Sequence, residues 1–150
     1  MKDTPKGWPR ISTAIFYQDA AAAIDWLCRA FGFEVRLKVE GEGGRIEHSE
    51  LTYGDGVIMV GNEGPIPGRP NLDFIRSPKS LGGQTTQSLM VYVDDVNAHF
   101  ARASAAGAKV SAEPAVHDYG EDHWADRSYG ATDPEGHHWW FTERLRNPKS

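Results

Sequence analysis

His48 and Glu50 stand two residues apart in the stretch IEHSELTY, residues 46–53. On an extended chain that spacing puts both side chains on one face. A carboxylate so placed can orient an imidazole for proton transfer, or the pair can offer two donors to a metal. Such a pair is more often simply hydrogen-bonded structure. A second gathering of ligating types is His117, Asp118, Asp122 and His123, in a polar stretch. His137 and His138 are adjacent, so on a strand they point to opposite faces and cannot chelate together. There is no Gly-x-Ser-x-Gly, no cysteine beside a histidine and no phosphate-binding loop. A metal-free acid–base site built on His48, Glu50 or His138 stays open.

The most unusual chemistry is aromatic. After the turn Asp133-Pro134-Glu135-Gly136 come five rings in a row, His137, His138, Trp139, Trp140 and Phe141. Proline at the second turn position presets φ, Asp at the first can bond its own backbone, and Gly at the fourth tolerates positive φ. The segment from Asp126 to Thr142 therefore predicts a hairpin. Because side chains alternate along a strand, the rings occupy both faces. One face goes into a core, and the other meets a second core or a ligand.

The elements that position these residues are regular. Residues 11–17 predict a strand, and Asp19 caps a helix whose stripe is Ile24, Leu27, Cys28 and Phe31, ended by Gly32. Cys28 reads as a small core residue and, being the only cysteine, excludes an internal disulfide. Residues 33–40 alternate, with Phe33, Val35, Leu37 and Val39 predicted inward. Strands at 46–53 and 57–60 follow. Residues 62–87 hold four prolines, at 65, 67, 70 and 78, and form a crossing or functional loop docked by Phe74 and Ile75. A strand at 88–93, a helix capped by Asp94 or Asp95 and closed by Gly107, a strand at 108–111, a loop at 114–123, the hairpin and a frayed tail from Arg144 complete the chain. The arm before residue 11 is predicted extended, with Trp8 packing on the body.

With 150 residues, 39% hydrophobic and 25% charged, the chain has ordinary globular composition. A net charge of −5 argues against non-specific nucleic-acid binding and against an anionic membrane surface. The first ten residues carry no apolar run of the signal-peptide kind, and no stretch has the length of a membrane helix. The expectation is a cytoplasmic protein.

The two halves share one order, strand, helix and then three strands, at a period of about 75 residues. Asp19 matches Asp94 or Asp95, Phe31-Gly32-Phe33-Glu34-Val35 matches Ala106-Gly107-Ala108-Lys109-Val110, and Tyr53-Gly54-Asp55-Gly56 matches the Asp133–Gly136 turn. With Ala23-Ile24-Asp25-Trp26, Tyr92-Val93-Asp94-Asp95-Val96 and Asp126-Arg127-Ser128-Tyr129, this ordered set resembles the vicinal oxygen chelate superfamily. That group includes glyoxalase I, extradiol dioxygenases and bleomycin-resistance-type proteins. The resemblance implies an α+β fold of two βαβββ half-modules (11–62 and 88–143, joined by a crossing loop 63–87) within one domain, with curled mixed sheets around a cleft. It also implies a homodimer, with an arm or strand often exchanged between subunits.

In metal-dependent members of that family, ligands sit on the first and fourth strands of each half. The equivalent positions here are Ser12 (or Thr13), Val60 (or Met59), Ser88 and Trp140 (or Trp139). None is a ligand for a hard or borderline divalent ion, so no cofactor is expected. If Ser88 faces the cleft, so do Met90 and Tyr92; if Trp140 does, so do His138 and Thr142. On the first strand Ser12, Ala14 and Phe16 would look in, and on the fourth Ile58, Val60 and Asn62. Trp124, Asp126, Arg127 and Tyr129 could form one wall, although Arg127 could equally pair with Asp126 or Glu143. The predicted ligand-binding set is Phe16, Met90, Tyr92, Trp124, Arg127, Tyr129, His138 and Trp140. The function this implies is metal-free sequestration of an aromatic small molecule, cationic or neutral, in a tryptophan-lined cleft, as in bleomycin-resistance proteins. The alternatives are a glyoxalase-like lyase or isomerase with a displaced metal site or acid–base chemistry, and a regulatory partner whose aromatics serve only dimerisation.

Overall fold

The computed structural model describes residues 1–149. It contains eight strands and two α-helices, repeated as two βαβββ units. In the first unit β1 (Thr13–Tyr17), α1 (Ala20–Phe31), β2 (Glu34–Glu40), β3 (Ile46–Tyr53) and β4 (Gly56–Asn62) form a sheet of order β1-β4-β3-β2. In the second, β5 (Ser88–Tyr92), α2 (Val96–Ala105), β6 (Lys109–Asp118), β7 (Ala125–Thr132) and β8 (His138–Arg146) form a sheet of order β5-β8-β7-β6. Each sheet is mixed: β1 runs parallel to β4 and β5 parallel to β8, while the remaining pairs are antiparallel. The architecture is the α+β fold of two βαβββ half-modules that the resemblance implies.

The helices begin and end for local reasons. The Asp19 carboxylate accepts from Ala22 N at 3.0 Å, and that of Asp95 accepts from Ala98 N at 3.0 Å. Each carboxylate thereby satisfies an orphan donor of the first turn. Gly32 closes α1 at φ 82°, a conformation that favours glycine because it has no Cβ. The two helices cover one face of each sheet and touch one another. Trp26 Nε1 donates to Ala106 O at 2.9 Å, and Arg102 donates to Cys28 O and Arg29 O at 2.9 Å each.

A single apolar cluster therefore spans both halves, running from Ile15, Leu27 and Phe31 to Tyr129, Trp139 and Phe141. Phe31 lies at its centre, 4.6 Å from the Phe141 ring and 5.4 Å from Trp139. His99 is buried inside this cluster. Its Nδ1 lies 2.7 Å from the Tyr129 hydroxyl and its Nε2 2.9 Å from Phe31 O. The carbonyl can only accept, so Nε2–H donates to it and the neutral ring takes the tyrosine proton at Nδ1. Burial foremost, with the charge of Arg102 adding, holds the His99 pKa below its ordinary 6.5. Burial likewise pushes the Tyr129 hydroxyl up.

The Asp133–Gly136 turn buries both its acidic side chains, while Pro134 between them stays exposed. Asp133 Oδ2 accepts from Tyr17 Oη at 2.7 Å and Trp139 Nε1 at 3.1 Å. Its Oδ1 accepts from Glu135 N and His137 N, each at 3.1 Å. Glu135 accepts from Gln18 N at 2.7 Å, Asp19 N at 3.0 Å and Ser77 Oγ at 2.8 Å, while His137 Nε2 donates to Phe16 O at 2.8 Å. One turn of the second unit thus clamps the β1–α1 junction of the first.

Several sequence expectations change. Val35, Leu37 and Val39 are not buried: all of the edge strand β2 is exposed, and a bulge between Val35 and Leu37 turns Leu37 and Val39 to the outer face, in register with Glu50 and His48. On β4, Ile58 and Val60 face the core and Met59 faces outward, since Val60 pairs with core Ile15 and Met59 with outward Ala14. Strand β6 continues to Asp118 through the predicted loop, and β8 continues to Arg146 through the predicted frayed tail. Cross-strand ion pairs hold both extensions, Arg144 with Asp126 and Arg146 with Asp118. In the crossing segment Ile75 docks, but Phe74 is 78% exposed. Cys28 packs against the core from a half-buried position, and Trp8 lies under the Arg36 guanidinium at 4.6 Å.

Adjacent tryptophans should report the two faces of β8. Trp139→Ala removes a ring that is 1% exposed and leaves Asp133 short of a donor, so urea unfolding should show a loss of about 3–5 kcal/mol. Trp140→Ala, at 41% exposure, should cost less than about 1.5 kcal/mol in the same assay. The buried histidine gives a pH signature. Its folded pKa is depressed, so as pH falls below about 6.5 the unfolded chain binds the proton first and stability drops. Urea midpoints should decline from pH 7 to pH 5, and His99→Gln should remove that component of the decline.

Candidate functional site

Helices cover only one face of each sheet, so the outer faces are where a ligand can approach. On the second sheet, register aligns Ser88 with His138, Met90 with Trp140 and Gly130, and Tyr92 with Thr142 and Ser128. Leu89, Trp139 and Ala131 alternate with these toward the core, as do Val91, Phe141 and Tyr129. Met90 is 58% exposed, Tyr92 50% and Trp140 41%. For an apolar body of that size such exposure is unusual, and three of them neighbouring on one face make a patch.

Trp140 has a particular seat. A Cβ built on Gly130 would lie 3.1 Å from Trp140 Cζ3 and 2.7 Å from Ser111 Oγ. The absence of a side chain at Gly130 is what lets the indole rest against β7. On the first sheet the Phe16 ring lies beside its register partner Gly61, where an added Cβ would meet it at an ordinary contact distance of 3.5 Å.

Beyond Tyr92 the face continues into Arg144, an arginine paired with a carboxylate and set among rings. The Arg144 guanidinium donates to the Asp126 carboxylate and, at 2.9 Å, to the Tyr92 hydroxyl. It lies 5.6 Å from the Tyr92 ring centroid and 6.0 Å from that of Trp124, both within cation–π range. Trp124 in turn packs on Tyr119, with centroids 4.9 Å apart. Asp126 stabilises the guanidinium and keeps the Arg144 pKa above its ordinary value.

Met90, Tyr92, Trp124, His138 and Trp140 are thus brought together on one face. Three other predicted residues are not. Tyr129 is fully buried and bound to His99, because alternation from Trp140 through Gly130 sends it to the other face. Arg127 points the same way and pairs with Glu143 at 3.5 Å, where Glu143 also accepts from Val96 N at the start of α2. Phe16 belongs to the first sheet. Arg144 and Gly130 are absent from the predicted set. Extending the alternation Trp140, Thr142, Arg144 would have found the arginine had β8 been read to its true length.

Between the edges β1 and β5 lies a cleft of about 500 Å³. Ser12 and Thr13 line it on one side, Ser88 to Tyr92 on the other, and Phe33, Tyr53 and Trp139 also contribute. The outward side chains at the positions where the resembled family holds metal are Ser12, Met59, Ser88 and Trp140. Two hydroxyls, a thioether and an indole do not make a site for a divalent ion. Among the described residues no group of three or more His, Cys, Asp or Glu is placed to hold a metal.

On the first sheet's outer face, His48 Nε2 lies 3.1 Å from Glu50 Oε1, and Arg36 Nε donates to Glu50 Oε2 at 2.7 Å. These contacts, that of His48 foremost, hold the Glu50 carboxyl below its ordinary range. Leu37 shares the face by register with Glu50, and Val39 by register with His48. The dyad is two donors at most, which is acid–base geometry and not a chelate.

Residues 11–141 match the model of the Glyoxalase/Bleomycin resistance protein/Dioxygenase superfamily. An uncharacterized protein of Mycobacterium tuberculosis, Rv0887c, is 33% identical over 139 residues, covering 92% of this chain and 76% of that one. Its Mycobacterium bovis counterpart, Mb0911c, is also 33% identical over 139 residues, covering 92% of this chain and 85% of that one. Among solved structures, TioX from Micromonospora sp. ML1 superposes with a TM-score of 0.67 at 31% identity, over 94% of this chain and 100% of that one. A glyoxalase/bleomycin resistance protein/dioxygenase from Alicyclobacillus acidocaldarius shares the fold at 11% identity, with a TM-score of 0.62 over 95% of this chain and 96% of that one. The paired βαβββ units and the match along nearly their whole length agree: this chain belongs to the glyoxalase/bleomycin resistance/dioxygenase superfamily.

Proposed function

We propose that the protein binds and sequesters a planar aromatic small molecule on the outer face of its second sheet, without metal and without breaking a bond. The observation that carries this reading is the alignment of Met90, Tyr92 and Trp140 on one uncovered face, with the indole seated on Gly130. A flat ligand would exchange water for contact with these groups and with Trp124, and stacking adds to the apolar burial. Arg144, already set among two rings, gives the face one oriented cation for a carbonyl or hydroxyl of the ligand.

In this reading the protein acts as a homodimer. Leu37 at 43%, Val39 at 44% and Met90 at 58% exposure lie on sheet faces that nothing in the single chain covers, and a second copy would convert an open face into a cleft. No helix among the described residues is long and apolar enough to cross a membrane, and the binding reading involves neither a membrane nor nucleic acid.

The second reading is an acid–base enzyme, favoured by one observation, the Arg36–Glu50–His48 chain on the first sheet. Turnover of a candidate substrate that is lost in His48→Ala and kept in Trp140→Ala would select it.

Titration with 9-aminoacridine and 2-naphthol, followed by tryptophan fluorescence, tests the binding reading. Saturable quenching is expected, with affinity about fivefold to thirtyfold weaker in Trp140→Ala, since one stacked ring with its buried area contributes on the order of 1–2 kcal/mol. Analytical ultracentrifugation should give twice the chain mass. Unchanged fluorescence across planar compounds of both charge types would remove the sequestration reading.

A further inference from the structure

The crossing segment builds a second pocket, away from the platform of Met90, Tyr92 and Trp140. Its volume is about 260 Å³, and it lies between β1 and residues 76–87. The segment is fixed in place. Ile75 and Ser77 are buried, and Glu63 accepts from Ser77 N at 2.7 Å and Ser80 Oγ at 2.6 Å. Ser77 also donates to Glu135, so the clamp that joins the two units holds this wall as well.

Arg76 is the one cation lining the pocket, and no carboxylate lines it. Its Nη1 donates to the backbone carbonyls of Asp73 and Ile75, the latter at 2.8 Å, with Gly64 O farther off at 3.4 Å. Asp73 thus meets the guanidinium through its carbonyl and not through its carboxylate. The nearby carboxylate of Glu63 is engaged by Ser77 and Ser80. Among the described residues Arg76 Nε and Nη2 make no hydrogen bond and Arg76 makes no ion pair. Those two nitrogens form the side edge of the guanidinium, the edge that grips both oxygens of a carboxylate. Around it stand neutral hydrogen-bonding side chains, Gln84, Thr86 and Gln87, and an apolar wall of Phe16, Leu81 and Pro78. His137 also lines the space, but its Nε2 is spent on Phe16 O.

We propose that this pocket binds a small monocarboxylate carrying a single aromatic ring. The carboxylate lies on the Nε–Nη2 edge of Arg76 and the ring on Phe16 and Leu81. An anchored, unneutralised guanidinium beside apolar surface needs an anion with an apolar body, and the size suits one ring rather than several. The site uses none of the second-sheet platform residues and stands whether or not that platform binds a ligand.

The test is an amide nitrogen–proton correlation titration of the whole chain at pH 7 with sodium benzoate and, separately, with neutral benzamide. Benzoate should shift the Thr85, Thr86, Gln87 and Arg76 Nε resonances saturably, and benzamide should bind at least tenfold more weakly. Arg76→Gln should weaken benzoate at least tenfold. Arg76→Lys, which keeps charge and loses the fork, should fall between. Trp140→Ala should leave benzoate binding unchanged. The proposal is overturned if those resonances fail to saturate, if benzamide matches benzoate, or if Arg76→Gln binds as wild type. Loss of benzoate binding in Trp140→Ala would also overturn it, moving the anion to the platform. Arg76 Nη1 helps to fold the segment, so should Arg76→Gln not fold, the two probes on the wild-type chain decide alone.

Discussion

The structure depends on one buried carboxylate. Asp133 accepts four hydrogen bonds, two from its own turn and two from rings, Tyr17 and Trp139, that belong to different halves of the chain. A buried carboxylate without partners would be costly, and one with every lone pair occupied instead fixes geometry. Its Oδ1 shapes the turn. Its Oδ2 draws Tyr17 at the end of β1 onto the indole of β8. The burial of Tyr17, aided by Asp133, raises the Tyr17 pKa well above its ordinary value, so the hydroxyl stays a donor. Glu135 and His137 extend the same turn to Gln18, Asp19 and Phe16. Fixing β8 against β1 in this way also fixes which face of β8 is inside.

That choice of face governs the chemistry. With Trp139 and Phe141 committed to Phe31 and the helix pair, Trp140 has nowhere to go but outward. It settles on Gly130, in register with Met90, and the alternation continues to Arg144 beside Tyr92. Each half supplies one α-helix to cover one sheet face, and the apolar content of the outer faces exceeds what a solvated surface requires. The first sheet shows the same surplus at Leu37 and Val39. Such faces fit a ligand or a second copy better than they fit water.

Superfamily membership alone does not decide activity, because one fold serves many chemistries. At the four positions where the resemblance places metal ligands, the side chains are not of metal-binding type. Ser12, Met59, Ser88 and Trp140 offer neither the charge nor the donor basicity that lets a divalent ion act as a Lewis acid. Ring faces, one oriented arginine beside them and a separate anchored arginine on the crossing segment remain. These are the groups on which the proposed binding of flat and anionic molecules rests.

Much of the fold is legible in the residues. The βαβββ repeat follows from periodicity and turn chemistry: Asp19 and Asp95 cap helices, Gly32 ends one, and Asp133 bonds its own turn. Alternation correctly separates Trp139 and Phe141 from Trp140 and His138, because a strand's two-residue period is local. Local pattern fails where the neighbouring element decides. Val35, Leu37 and Val39 alternate perfectly, yet they lie on an exposed edge strand whose bulge turns Leu37 and Val39 to the outer face. Val60 and Met59 exchange faces because β4 takes its register from β1. Polar residues 114–118 and 144–146 read as loop and tail, but they form strand through cross-strand ion pairs between segments far apart in sequence. Tyr129 and Arg127 leave the ligand face for the same reason, register set by a partner strand. The sequence by itself determined the order of the elements, the helix caps and the turn chemistry, since these rest on residue type and short-range sterics. Only the tertiary structure decided which rings face solvent, where Arg144 and Arg76 stand, and that the Asp133 turn is a buried clamp. Those depend on long-range register and packing, which no local window contains.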